Sequence, residues 1–346
     1  MLTFNDILGQ PAAIEHIRRA YLEDRLPHGL IFAGPVGVGK ATTARALGAL
    51  FLCEKPKETA ACGKCDSCKL FEAGTHPDFQ LVYRQLIRLE KEASKARDLS
   101  VDVVREFLIA PANRKAALMR GKVFLVEEAE TMSSEAQNAM LKTLEEPVGR
   151  ALIILLTDQP WQLLATVRSR CQTIRFCGLE PGLVHKELER RGVSKSDARD
   201  AAELADGSLG LALRWLEDGI VDRGRELHTR LTQVVGGRPS IDLPAWFKES
   251  ADKYAEKQLE RDPLASKDQA TREGLGVYLR LAAQFFRRRL ADAEEAGELE
   301  RNCAGIDAMV RSEQFLDGNV NIPLIFQQLA VTLERLFAGA GAAASR

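Results

Sequence analysis

Short, unbroken apolar runs separated by stretches of helical spacing fill the first half of this chain. Leu30–Ala33, Phe79–Tyr83, Lys122–Val126, Ala151–Leu156 and Gln172–Phe176 read as strands. Strands alternating with helical patterns predict a parallel sheet covered by helices, an α/β fold. Within that half, Ser134 with Gln137 three residues on predicts a capping box that opens a helix. Ala136, Ala139, Met140 and Thr143 would share one face of it, and Pro147 stops it just beyond Glu146. After Cys177 the pattern turns helical throughout, with breaks at Arg191-Gly192 and Asp206-Gly207. Gly236-Gly237-Arg238-Pro239-Ser240 is the best linker candidate, and Leu243 onwards is helical again. The Ala/Gly-rich tail from Ala338 to Arg346 is expected to fray. The expected organisation is an α/β domain over residues 1–177, a small helical domain over 178–238 and an all-helical domain over 239–346.

The first apolar run enters Gly34-Pro35-Val36-Gly37-Val38-Gly39-Lys40-Ala41-Thr42 and then a helical stretch, Ala44–Leu52. This is the G-x-x-x-x-G-K core of a phosphate-binding loop in its required setting, strand before and helix after. Glycines let backbone N–H groups converge on phosphates, the helix N-terminus adds positive potential, and Lys40 supplies a point charge. The bland alternative is a glycine-rich turn with a surface lysine. One position departs from the pattern: Ala41 stands where Ser or Thr would ligate magnesium. Thr42 comes one residue late, about 100° round the helix. ATP or ADP binding is therefore expected to survive better than magnesium-assisted hydrolysis.

A second feature, an acidic one, closes the strand Lys122–Val126, which runs into Glu127-Glu128-Ala129-Glu130. P-loop ATPases hold magnesium and polarise water with acids at such a strand end. Glu127 stands where Asp is usual, and the extra methylene moves its carboxylate by roughly 1.5 Å. A solvated acidic loop is the competing account.

Charge and composition narrow the partners. Of 346 residues, 48 are Lys or Arg and 49 Asp or Glu, for a net charge of -1. No bulk basic field draws the chain to DNA, so any contact must be local or made by an assembly. Aromatics at 6% argue against a stacking platform for single strands. The first residues, MLTFNDILGQ, lack a secretory pattern, and no run suits a membrane span, which points to a cytoplasmic protein. Four of the seven cysteines crowd into Cys53, Cys62, Cys65 and Cys68, a C-x8-C-x2-C-x2-C spacing. In such a compartment that clustering suggests a metal before disulfides. Four thiolates satisfy tetrahedral Zn²⁺ and leave no open position, so the zinc would be structural. A C-x2-C-x2-C run also suits iron–sulfur ligation, although there the fourth cysteine usually lies downstream. Cys171, Cys177 and Cys303 are expected to be packing residues, and His76 to be a turn residue.

Several motifs together carry a family resemblance. They are Phe4-Asn5-Asp6-Ile7-Leu8-Gly9-Gln10, Leu26-Pro27-His28, Ala136-Gln137-Asn138-Ala139-Met140-Leu141-Lys142-Thr143-Leu144-Glu145-Glu146-Pro147 and Ser169-Arg170-Cys171, with a weaker Asn319-Val320-Asn321 before Leu324. Residues 1–215 thereby resemble the AAA+ subunits of the bacterial DNA polymerase III clamp loader. The resemblance implies an AAA+ domain, a helical lid and a helical collar, and zinc at the cysteine cluster. It implies partners too: gamma/tau and delta subunits in a pentameric ring, a sliding clamp, and primer–template DNA reached through the assembly. Arg170 would be an arginine finger acting in trans, and Thr157 the polar residue that reads the γ-phosphate. ATP-hydrolysing relatives carry an arginine near Gly210. Ala41, Glu127 and Gly210 are three departures touching one reaction, and they favour the delta-prime type over the gamma/tau motor type. That motor is the alternative reading, and a small-molecule P-loop kinase or transport ATPase is a third. Nothing in the sequence resembles a polymerase palm. Arg287-Arg288-Arg289, within the apolar helical stretch Leu275–Leu290, is expected to be a solvated face.

Overall fold

The computed structural model describes residues 2–87, 98–118, 120–261, 266–318 and 320–338. The chain divides into two compact units, Met1–Arg190 with Ala205–Leu211, and Arg191–Leu204 with Ala212–Arg346.

Five parallel strands form the core of the first unit: β1 (Gly29–Ala33), β2 (Phe79–Val82), β3 (Lys122–Val126), β4 (Ala151–Thr157) and β5 (Gln172–Arg175), in the order β2-β3-β4-β1-β5. Every residue of β1, β3 and β4 is buried, as expected for central strands covered on both faces. Side chains alternate between two apolar layers. Ile31, Phe124, Val126, Ile153 and Leu155 pack with Val103, Leu108 and Leu144 on one side. Leu30, Phe32, Val123, Leu125 and Ile154 pack with Leu47, Leu50 and Phe51 on the other. Each such side chain, fully buried, contributes about 1.5–3 kcal/mol. β1 lies between β4 and β5, so the chain leaves it at the C-terminal edge of the sheet where strand order reverses. Ligands bind at such a crevice in open α/β sheets.

Element boundaries differ from the sequence expectation by a residue or so. β1 begins at Gly29 and β2 ends at Val82, because Tyr83 leads into a 3-10 turn, Arg84–Leu86. β4 takes in Thr157, and β5 stops at Arg175 although Phe176 N still donates to Ala33 O at 2.7 Å. The capping box expected at Ser134 is not formed. Ser133 is the N-cap instead, its Oγ accepting from Ala136 N at 3.1 Å. Gln137 turns inward, donating to Met132 O at 3.1 Å and accepting from Leu164 N at 2.7 Å. The helix also breaks at Met140 into Ser134–Ala139 and Leu141–Glu145, with Ala139 only half-buried. Pro147 acts as expected: Glu146 before it has φ -134° and ψ 74°, outside the helical region.

The second unit is helical. Lys195–Leu204, Ile220–Val235, Leu243–Arg261, Lys267–Asp292, Ala296–Asp317 and Ile322–Phe337 surround a core that includes Trp246, Phe247, Tyr278, Phe286, Phe326 and Leu333. Gly305 lets its helix approach Phe286 closely, since a Cβ there would lie 2.9 Å from the ring. The turn at Gly236-Gly237 joins two helices of this unit, and Ser240 pins it by donating from its N to Glu334 at 2.7 Å and from Oγ to Ala330 O at 3.1 Å. Arg225 bridges Asp197, Asp200 and Asp222. Of the arginine run, Arg287 is exposed, Arg288 pairs with Glu203 and Arg289 with Glu298. Asn321 caps the last helix by accepting from Leu324 N; Asn319 and the tail beyond Ala338 lie outside the described residues. Among the described residues no helix is long and apolar enough to cross a membrane.

Candidate phosphate-loop site, finger and zinc knuckle

β1 ends at Ala33 and the helix Lys40–Leu52 begins at Lys40, so the glycine loop spans the gap at the sheet's C-terminal edge. Its carbonyls are engaged almost one by one. Lys40 Nζ donates to Gly34 O and, at 2.7 Å, to Pro35 O. Gly210 N donates to Gly37 O at 2.9 Å, and Gln10 Nε2 to Val38 O at 3.2 Å. Thr43 donates to Gly39 O from both N, at 2.9 Å, and Oγ1, at 2.8 Å. With these acceptors taken, the backbone polarity the loop has left to offer a ligand, Val36 O apart, is N–H, which suits an anion.

Gly37 requires glycine twice over. Its φ is +75°, and a Cβ would lie 2.3 Å from Ser208 Oγ and 2.8 Å from Leu211 N. From the opposing side, a Cβ on Gly210 would meet Gly37 Cα at 2.8 Å and Gly37 O at 3.0 Å. The segment Gly207–Leu211 therefore lies backbone to backbone on the phosphate loop. At the position where the resemblance implies an arginine in hydrolysing relatives, there is no room for a side chain.

The side chains expected to do chemistry are distributed unevenly. Ala41 and Thr42 occupy the first turn of Lys40–Leu52, and the chain offers no magnesium-binding hydroxyl at Ala41. Glu127 is buried enough for its carboxyl to be pushed up, against the pull of Arg45 and with a smaller push from Glu128. Glu128 sits in the left-handed region at φ +49° and pairs with Arg84 at 3.0 Å. Thr157 is buried at the end of β4; its O accepts from Gly34 N at 3.1 Å and its Oγ1 from Gln159 N at 3.0 Å. The acids that act electrostatically on Lys40 are Asp158 and Glu130, which the sequence reading did not single out. Burial pushes the Lys40 ammonium down, and those two carboxylates push it back up. Glu130 is itself raised, chiefly by burial, with Thr157 pulling it down and Asp158 pushing it further up. The run Glu127-Glu128-Ala129-Glu130 contained this signal, but only the fold shows which glutamate turns to the lysine.

Arg170 follows the short helix Ala165–Arg168 and is paired with Glu145. It is half-buried, and its carbonyl lies beside Gly29 at the start of β1, the other end of that strand from the phosphate loop.

The four cysteines converge. Their sulfurs all lie within 4.8 Å of one another, with Cys53–Cys65 at 4.0 Å and Cys62–Cys68 at 3.9 Å. These separations are far too long for disulfides. A tetrahedral Zn²⁺ with sulfurs at ~2.3 Å would set them roughly 3.8 Å apart. Backbone N–H groups point at the sulfurs: Cys62 N to Cys53 Sγ at 3.2 Å, Cys65 N to Cys62 Sγ at 3.4 Å and Cys68 N to Cys65 Sγ at 3.4 Å. The Lys64 and Cys65 amides draw the Cys62 thiol down to about 6, while burial pushes Cys53 and Cys68 up. The set fits a divalent soft-ligand ion, which would tie Cys53 at the end of Lys40–Leu52 to the knuckle. His76 is a buried brace, not a ligand: it bonds Ser67 Oγ through Nε2 at 3.0 Å and accepts from Asp78 N at 3.0 Å. Cys171 is half-buried, but Cys177 and Cys303 are exposed, contrary to the expectation that they pack.

Comparison with known proteins decides the family. The family described as DNA polymerase III, delta subunit, matches residues 9–180. The DNA polymerase III delta-prime subunit of Pseudomonas aeruginosa is 41% identical over 233 residues, 64% of this chain and 68% of that protein. This chain belongs to the delta-prime family of DNA polymerase III subunits. The Bacillus subtilis member is 32% identical over 57% of this chain and 56% of its own length. The match thus spans between a little over half and two thirds of these delta-prime relatives. The tau subunit of Salmonella typhimurium is also similar, 29% identical over 68% of this chain and 36% of that protein.

Proposed function

We propose that this chain is a non-hydrolysing ring subunit of a DNA polymerase III clamp loader. It would support ATP-dependent placement of a sliding clamp on primer–template DNA, and donate Arg170 to the ATP site of an adjacent subunit. A guanidinium is charged at every relevant pH and forks onto phosphate oxygens, and supplied in trans it can raise a rate by orders of magnitude. The observation that carries the reading is the phosphate loop itself. Its backbone is formed, yet Ala41 supplies no magnesium ligand and Gly210 lies packed on Gly37. Any ATP or ADP held there would be a structural ligand, and magnesium has no side-chain ligand at that position.

The remaining parts follow in the same reading. Cys53, Cys62, Cys65 and Cys68 hold structural zinc, and Glu127, Glu128 and Thr157 are relics of, or bystanders to, hydrolysis. Residues 1–177 act as the AAA+ domain, 178–238 as lid and 239–346 as the oligomerising collar. Gamma/tau and delta subunits are the ring partners, in the cytoplasm. The test measures ATP turnover by the assembly of this chain with its cognate gamma/tau and delta subunits. Arg170→Ala is expected to lower turnover at least tenfold, and Lys40→Ala to leave it within twofold. Hydrolysis by the isolated chain, abolished by Lys40→Ala, would establish a gamma/tau-type motor instead.

A further inference from the structure

Arg170 is committed to contacts within its own chain. Nε donates to Glu145 Oε1 at 2.7 Å, and Nη2 donates to the same oxygen. Nη1 donates to Thr166 O at 2.9 Å and to Ser169 Oγ at 3.5 Å. A guanidinium has five hydrogens to give, so one, on Nη2, has no partner among the described residues. Both side chains of the pair are partly open to solvent, 32% for Arg170 and 47% for Glu145. The backbone beneath them is fixed. Leu144, one residue before Glu145, is fully buried and its carbonyl is bonded by His28 Nε2. Val167, three residues before Arg170, is fully buried too. Helix Leu141–Glu145 ends where Pro147 forces it to, so the last residue of that helix is delivered to the guanidinium.

We propose that Glu145 is the positioning residue for Arg170. The inference rests on reading Arg170 as a finger acting in trans. Glu145 holds the guanidinium by its Nε/Nη2 edge through a single carboxylate oxygen, while Thr166 and Ser169 hold Nη1. A long arginine side chain is thereby confined to one rotamer before a neighbouring subunit arrives. The rotamer freedom it would otherwise lose on docking is given up in advance, so the charge meets the phosphates already placed. The pair is solvent-exposed, so it adds little to the stability of the fold. Its value lies in geometry.

The experiment is a double-mutant cycle in the assembled clamp loader, reading kcat and KM for ATP with Arg170→Ala, Glu145→Ala, Glu145→Gln and the double alanine variant. Thermal melting of each isolated chain checks folding. Glu145→Ala is expected to lower kcat by about five- to tenfold with KM moved less than twofold. Glu145→Gln, which keeps an acceptor oxygen, restores more than half of that loss. In the Arg170→Ala background, Glu145→Ala costs nothing further. If Arg170→Ala is crippling while Glu145→Ala leaves kcat unchanged or raises it, the carboxylate is a bystander or a competitor for the guanidinium, and the positioning role falls alone. Additive losses in the double variant would give Glu145 a role independent of Arg170, which also overturns the proposal. An Arg170→Ala assembly with wild-type turnover removes the finger, and the positioning role with it.

Discussion

Gly210→Ala is the smallest change that asks whether the phosphate loop is held by backbone contact. The added methyl would stand 2.8 Å from Gly37 Cα, 3.0 Å from Gly37 O and 3.3 Å from Gly37 C. All three are main-chain atoms, in a loop whose carbonyls at Gly34, Pro35, Val38 and Gly39 are also bonded, so none can swing aside as a side-chain tip would. Overpacking of this kind costs about 1–3 kcal/mol, and losing the Gly210 N to Gly37 O bond adds about 0.5–1.5 kcal/mol. The expected local destabilisation is about 2–4 kcal/mol, confined to Gly207–Leu211 and the loop. Native-state hydrogen exchange reads this directly, since local opening is measured amide by amide. The Gly210 and Leu211 amides should exchange roughly 30-fold faster or more in the variant, with the β3 and β4 amides unchanged. Gly210→Arg should do the same without creating an ATPase, because the arginine cannot occupy that position while the segment stays seated. Exchange at Gly210 within threefold of wild type would refute the steric argument. A Gly210→Arg chain that hydrolyses ATP would refute the claim that the segment excludes a side chain.

Two further outcomes follow from the same geometry. Cys65→Ser should abolish stoichiometric zinc and lower the melting temperature by about 5 °C or more, because structural metal binding is folding free energy; equal melting of metal-free and metal-loaded wild type would show that the ion stabilises nothing. Glu130 has its carboxyl raised above the usual 4.5, mainly by burial. The folded state therefore holds that proton more tightly, and its contribution is present at low pH and lost as pH rises above 4.5 through the folded value. Glu130→Gln should remove that decline and be the more stable protein at neutral pH, which urea titrations at pH 4 to 7 would check; a wild type gaining stability over the variant as pH rises would contradict the burial argument.

The sheet was legible because its central strands are apolar along their length, Lys122 at the start of β3 and Thr157 at the end of β4 excepted, which only a doubly covered strand tolerates. The phosphate loop was legible because strand, glycines, lysine and helix come in order within one short segment. The cysteine cluster was legible for the same reason of nearness, Cys62 to Cys68 being seven consecutive positions. What the sequence hid depends on residues far apart in the chain. Gly210 and Gly37 meet only through the fold, so a missing arginine could be seen but not the reason for it. Glu145 and Arg170 lie 25 residues apart and were each recognised as motif members without being recognised as a pair. Glu130 differed from its neighbours in the acidic run only by the direction it faces. At Ser133-Ser134, two adjacent cap-formers made the choice a matter of one residue, and the inward turn of Gln137 settled it.

The helix Lys40–Leu52 also has an electrostatic consequence at its far end. Its peptide dipoles place partial positive charge at Lys40, where an anion is welcome, and partial negative charge at Leu52 and Cys53. Four thiolates around a divalent ion would keep about two negative charges, so a metal held by the cysteines would sit on the unfavourable pole. Arg120 answers this by donating from Nη2 to Cys53 O at 2.7 Å, and Arg150, its guanidinium 4.1 Å from the Phe51 ring centre, donates in turn to Arg120 O. The counter-charge for such an ion would thus come from the approaches to β3 and β4, outside the cysteine motif. A knuckle transplanted with its four cysteines alone would arrive without it.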